Sequence, residues 1–260
     1  MAPSSALPLQ VLTHGAVWCA GLAGVNLGLL LLARRRPSSW LAQRTSGGAF
    51  EAPKKNYVVP IIGQCLVMPP LWVLAWALRE PGEPWWLAAQ ADWPSGEFLA
   101  YAAGYFLQDA AVHWSDNGAL VALHHLGAIL ASVAASLTSG WLGLLLTLSM
   151  VYELGSLALE LGDLGLCPRR LACWLLIAST LVPMAWTLAE LPFARPPDAY
   201  AWFCVLLAFV AGALRVREAW TGLQALAARE ALAEAAEAVV VDTAPRTVVS
   251  CSVQALQVTR

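Results

Sequence analysis

A helix needs about 20 mostly apolar residues to cross the hydrocarbon core of a bilayer. This sequence offers seven such stretches, at 12–33, 57–79, 97–114, 119–137, 141–162, 170–190 and 199–217. That feature narrows the fold more than any other. Within hydrocarbon every backbone N–H and C=O must be satisfied internally, so a run of this kind spans as a helix. Composition agrees: 59% of the residues are apolar and 12% charged, against about 25% charged in soluble domains, and the mean hydropathy is +0.62. The expectation is an all-α, polytopic membrane protein with about seven transmembrane helices.

Little chain remains for anything else. Residues 1–56 hold a leading span and a basic loop, 57–217 hold six further spans, and 218–260 form a tail. The first apolar run has no basic residue before it and ends at Arg34-Arg35-Arg36 rather than at a small-residue cleavage site, so it reads as a retained span and not as a signal peptide. The tail begins EAWTGLQALAAREALAEAAEA, whose Ala, Leu and Glu favour helix. It continues VVVDTAPRTVVSCSVQALQVTR, without clear period, and is expected to be disordered. A net charge of −2 with no basic stripe or aromatic strand motif argues against a nucleic-acid partner. The six cysteines form no C-x-x-C pair and show no metal spacing. They read as small packing residues, and no metal or cofactor is expected.

Charge in the loops sets the expected orientation. Arg34, Arg35, Arg36, Arg44, Lys54 and Lys55 lie between spans one and two, Arg169 and Arg170 follow span five, and Arg215 and Arg217 close span seven. Glu80, Glu83 and Asp92 lie between spans two and three with no base beside them. An odd number of spans puts every basic cluster on one side. The amino terminus is then lumenal or outside and the tail cytosolic. Tryptophans 85, 86, 93, 114 and 141 at span ends read as an interfacial belt. The loop EPWWLAAQADWPSGEF is expected to lie along the interface. Pro69-Pro70 and Pro183 are expected to kink spans two and six, and Gly24 and Gly28 fit a small-xxx-small helix contact.

The chemistry-bearing residues are the few ionisable groups within these spans, since each is costly there. His124 and His125 are adjacent in LVALHHLGAILASVAASL. At 1.5 Å per residue they sit about 8 Å past the cytosolic end of span four. Tyr105, Asp109 and His113 share one face of span three, and Ser149, Glu153, Ser156 and Glu160 share one face of span five. All converge on the cytosolic half of the bundle, where a cytosolic cosubstrate such as an acyl thioester could reach. Neighbours on a helix point about 100° apart, so one histidine can face the interior while the other packs. A purely structural reading stays open: Asp109 with His113 as helix glue, and His113 and Glu160 snorkelling to the headgroups.

At these residues the chain resembles the TLC-domain family, which takes in translocation-associated membrane proteins, the ceramide synthases and a neuronal ceroid lipofuscinosis protein. The matching elements are Gly104-Tyr105-Phe106 followed by Asp109, then His124-His125, then Tyr152-Glu153-Leu154-Gly155-Ser156. Order and spacing look closest to the small TLC-domain-containing transmembrane proteins, and the resemblance runs from about Tyr57 to Arg217. It implies a six-helix barrel around an intramembrane cavity, an extra helix outside it, and a role in membrane lipids. It fits the endoplasmic reticulum or another endomembrane, with the plasma membrane as the alternative. In ceramide synthases the paired histidines contribute to acyl transfer from acyl-CoA. Those enzymes carry a further His-Asp and a second Asp on the next span, whereas SMVYELGSLALELGD here has no His and no Asp before Asp163.

Two functions follow as expectations. In the first, the protein serves lipid homeostasis, with Tyr105, Asp109, His113, Glu153 and Ser156 holding a membrane lipid. In the alternative it is an acyl-CoA-dependent acyltransferase, with His124 or His125 as general base and acyl-CoA as cosubstrate. A deep cytosol-open tunnel ending at the histidines favours the enzyme, and a wide lateral opening favours lipid binding.

Overall fold

The computed structural model describes residues 6–36, 58–78, 93–112, 119–138, 141–191 and 197–243. Among these residues there are seven helices and no strand. Helix α1 spans Ala6–Arg35; α2 runs over 58–77; α3 spans Trp93–Val112, α4 Ala119–Ala135, α5 Leu142–Asp163, α6 Arg169–Glu190 and α7 Ala199–Thr243. Five of them, α1, α2, α5, α6 and α7, are long and apolar enough to cross a membrane. Helix α4 is short: its 17 residues reach about 26 Å at 1.5 Å each. Helix α3 has the length, but Glu97, Gln108, Asp109 and its alanines and glycines dilute its hydropathy.

The outer surface carries many large apolar side chains, and several polar ones are buried. Leu27, Leu66, Leu123, Leu171, Val182 and Leu206 are exposed, while Gln64, Gln108, Asp109, His125, Glu153 and Glu160 are buried. That is the arrangement expected when the outer solvent is hydrocarbon and polar groups must turn inward. The interior is built on α3, where Phe98 and Tyr101 are fully buried beside Trp141 at the start of α5. Trp141 therefore belongs to the core and not to an interfacial belt, whereas Trp93 is exposed. Trp85, Trp86, Trp114 and most of the loop EPWWLAAQADWPSGEF lie outside the described residues.

Helix α1 packs along α3 through glycines. A Cβ on Gly104 would stand 2.4 Å from the Gly15 carbonyl oxygen, and one on Gly15 would stand 3.3 Å from that of Ala100. Gly96, Ala100 and Gly104 form a small-xxx-small stripe, so the backbones can touch. The contact expected at Gly24 and Gly28 is not made among the described residues; a Cβ at either meets nothing within 4 Å. Those two glycines are exposed, while Leu22 and Asn26 of the same stretch are buried.

The α5–α6 hairpin closes on a Schellman turn. Gly165 takes φ 72°, Leu166 N–H donates to Leu161 O at 2.8 Å and Gly165 N–H to Gly162 O at 3.0 Å. Pro168 then precedes α6, and α6 continues across Pro183. Helix α2 departs from the α pattern: Gly63–Val67 form one π turn, followed at once by Pro69 and Pro70. A proline ring clashes with the carbonyl four residues back and brings no N–H; widening the preceding turn absorbs both faults. The bend expected at this pair is thus a π turn.

The helix that starts at Ala199 continues through Thr243, beyond the end expected at Arg217. Residues to Trp220 belong to the bundle, and Thr221 onward forms a second unit. The stretch from Val239, expected to be disordered, instead continues the helix as far as Thr243; residues 244–260 lie outside the described residues.

Candidate functional site

Helix α3 carries its polar stripe into the bundle at four-residue spacing. Tyr101 and Tyr105 stack nearly parallel, with ring centres 6.3 Å apart, and Trp18 of α1 meets Tyr101 edge-on at 5.2 Å. One turn further, Asp109 meets α4: its Oδ2 lies 3.2 Å from His125 Nε2, and both side chains are buried. His113, the next member of the stripe, lies outside the described residues.

The two histidines divide as adjacent helical positions must. His125 turns to Asp109, and His124 turns to a cavity of 430 Å³. Phe106 of α3 wedges against both, with ring centres 5.6 Å from each. The cavity lies among α3, α4, α5 and α7, and its wall is mainly apolar, with Ala102, Phe106, Ala128, Leu145 and Leu207 as examples. Polar side chains line it too: His124, Ser132, Ser149, Tyr152 and Glu153. Leu123 of α4 and Val210 of α7 belong to the same wall and are 66% and 53% exposed. The opening therefore faces sideways between α4 and α7, where the outer surface is apolar.

Glu153 connects the cavity to α2, because Gln64 Nε2 donates to its Oε2 at 3.0 Å. Below it on α5, Ser156 does not reach the cavity. It accepts from Arg215 Nη1 at 2.9 Å. The same guanidinium donates to the Tyr152 carbonyl and to Thr180 Oγ1 and lies 5.2 Å over the Tyr152 ring. Two glycines make the space. A Cβ on Gly155 would fall 1.9 Å from Ser179 Oγ and 3.1 Å from Arg215 Nη2, and one on Gly212 would fall 2.6 Å from Tyr152 Oη. Arg215 thus fastens α5, α6 and α7 through neutral oxygens and one aromatic face.

Of the residues singled out in the sequence, His124, Ser149 and Glu153 share the cavity wall. Asp109 and His125 form a clamp beside it, Tyr105 is buried in the aromatic stack, and Ser156 belongs to the arginine niche. Gln64 and the inward turn of Arg215 escaped sequence reasoning. Gln64 looked like one more polar residue in a span, and Arg215 like a charge at a helix end; Gly63 beside the first and Gly155 opposite the second were the available signals. A second polar contact was also missed: His14 Nδ1 pairs with Glu97 Oε1, and Trp18 Nε1 donates to Glu97 Oε2 at 3.2 Å, tying α1 to the start of α3. No cluster of three His, Cys, Asp or Glu side chains suited to a metal occurs among the described residues.

An apolar recess with a few polar groups can hold an amphiphile, and an imidazole and a carboxylate on its wall can exchange hydrogen bonds with its polar end. No protein-family model, curated protein or solved structure matches the chain.

Proposed function

We propose that this protein is a multi-pass membrane protein of lipid homeostasis that binds a single-chain lipid in the cavity among α3, α4, α5 and α7. The observation that carries this reading is the cavity itself: 430 Å³, largely apolar, with His124, Ser132, Ser149 and Glu153 among its polar groups. The volume falls in the range of about 300–1,000 Å³ typical of small-molecule sites. Its sideways opening suits a ligand that arrives from the bilayer. In this reading α3 and α4 complete a seven-span bundle of the TLC type, with the amino terminus lumenal or outside and the tail cytosolic. The endoplasmic reticulum is the proposed membrane.

The acyltransferase remains the second reading, favoured by one observation: an imidazole, that of His124, lies on the cavity wall with Glu153. His124 would be the general base, and acyl-CoA would enter from the cytosol. His125 is held by Asp109 and would serve position only.

Lipid retention tests the first reading. The protein is extracted into mild detergent and its bound lipids are identified by mass spectrometry. Ala128→Phe, which fills the cavity from α4, should remove a lipid that co-purifies with the native protein at equal yield. The same lipid in both samples would sink the proposal. Acyl transfer from acyl-CoA to an amine or hydroxyl by purified protein, lost in His124→Ala, would establish the second reading instead.

A further inference from the structure

Gln64 reaches Glu153 from a helix that does not line the cavity, and it does so through the π turn of α2. Such turns recur at functional sites because they re-aim the side chains they carry. Here the re-aimed residues are Gly63 and Gln64, both buried. Gly63 is pressed against α3 so closely that a Cβ would sit 1.5 Å from the Tyr101 hydroxyl oxygen and 2.6 Å from its Cζ. Only glycine permits this approach. The approach sets Gln64 Nε2 3.0 Å from Glu153 Oε2, while Gln64 Oε1 is buried without a hydrogen-bond partner among the described residues. An amide that leaves its own acceptor unsatisfied in order to donate to a carboxylate is arranged for the carboxylate's benefit. Pro69 and Pro70 hold the turn in place from the other side, since an unbroken α ladder cannot pass them.

We infer that Gln64 is a positioning residue: delivered by the Gly63–Val67 π turn, it fixes the Glu153 carboxylate on the cavity wall as a hydrogen-bond acceptor. The cavity then prefers lipids whose headgroup donates a hydrogen bond over those that only accept. This deepens the lipid-binding reading above and rests on it for the ligand, though not for the geometry.

Two photoactivatable single-chain probes of equal length test it on the full-length protein in nanodiscs, one with a terminal hydroxyl and the other with its methyl ether. The native protein should label more strongly with the hydroxyl probe. Gln64→Leu should reduce that preference by about tenfold, the scale of one hydrogen bond to a charged group, while methyl-ether labelling holds. Gln64→Asn, polar but one methylene too short, should behave likewise and serves if the leucine variant does not fold. A preference unchanged in a folded variant would overturn the assignment. A second readout needs no ligand. The infrared carboxylate band that disappears in Glu153→Gln should shift in Gln64→Leu, and an unshifted band would also overturn it. If neither probe labels the native protein, the lipid reading fails, and the infrared band alone then decides the role of Gln64.

Discussion

The division between the adjacent histidines makes opposite demands on two substitutions. His125→Ala removes the group facing a buried carboxylate: Asp109 Oδ2 is 3.2 Å from His125 Nε2, and the two side chains are 5% and 6% exposed. Stranding a buried polar group costs about 1–3 kcal/mol, while an ordinary interhelical hydrogen bond in a membrane averages about 0.6 kcal/mol. Burial decides which figure applies, and for Asp109 it points to the larger. His124→Ala removes a half-buried ring that meets Phe106 edge-on at 5.6 Å; such a contact is worth about 0.5–1.5 kcal/mol. Thermal unfolding in detergent, followed by size exclusion, should therefore show His125→Ala as the unstable variant and His124→Ala as close to native. Lipid retention should reverse the order among molecules that remain folded. Replacing both partners, Asp109→Leu with His125→Leu, should recover much of the loss, since an apolar pair leaves nothing unsatisfied. Equal destabilisation by the two single histidine changes, or additive losses in the double variant, would refute the division.

The arginine niche predicts that Arg215→Met destabilises the bundle by about 1.5–3 kcal/mol, the scale of one charge-assisted hydrogen bond, and that Arg215→Lys fails to restore it because an ammonium cannot span Ser156, Thr180 and the Tyr152 carbonyl; full rescue by lysine in the same unfolding assay would disprove the fork. Gly155→Ala should cost about 1–3 kcal/mol through overpacking against Ser179 Oγ, and Ser179→Ala should relieve it; no relief would place the strain elsewhere. Gly104→Val should release α1 from α3, read as loss of a disulfide cross-link engineered between the two helices, whereas Gly24→Val should leave it intact. Protease added to sealed microsomes should remove an epitope placed at Arg260, and protection of that epitope would reverse the proposed topology.

Periodicity and hydropathy made the all-helical class, with helices long and apolar enough to cross a membrane, legible from residues alone, because a bilayer leaves a long apolar run few other options. The buried polar groups were legible for the same reason: an ionisable residue inside such a run must turn inward, and Asp109, His125, Glu153 and Glu160 do. Helix spacing also required His124 and His125 to part company. Which histidine faces the cavity was not legible, since it depends on where Phe106 and Asp109 of another helix stand. Gly24 and Gly28 match a packing motif as well as Gly96, Ala100 and Gly104 do; only the path of α1 across α3 chose between them. Arg215 carried the sequence signature of a charge at a membrane edge, and Gly155 and Gly212 turned it into an interior fastener. A one-dimensional pattern specifies the solvent each residue prefers. The partner it meets within reach of a hydrogen bond depends on the crossing of two helices, which only the packed bundle decides.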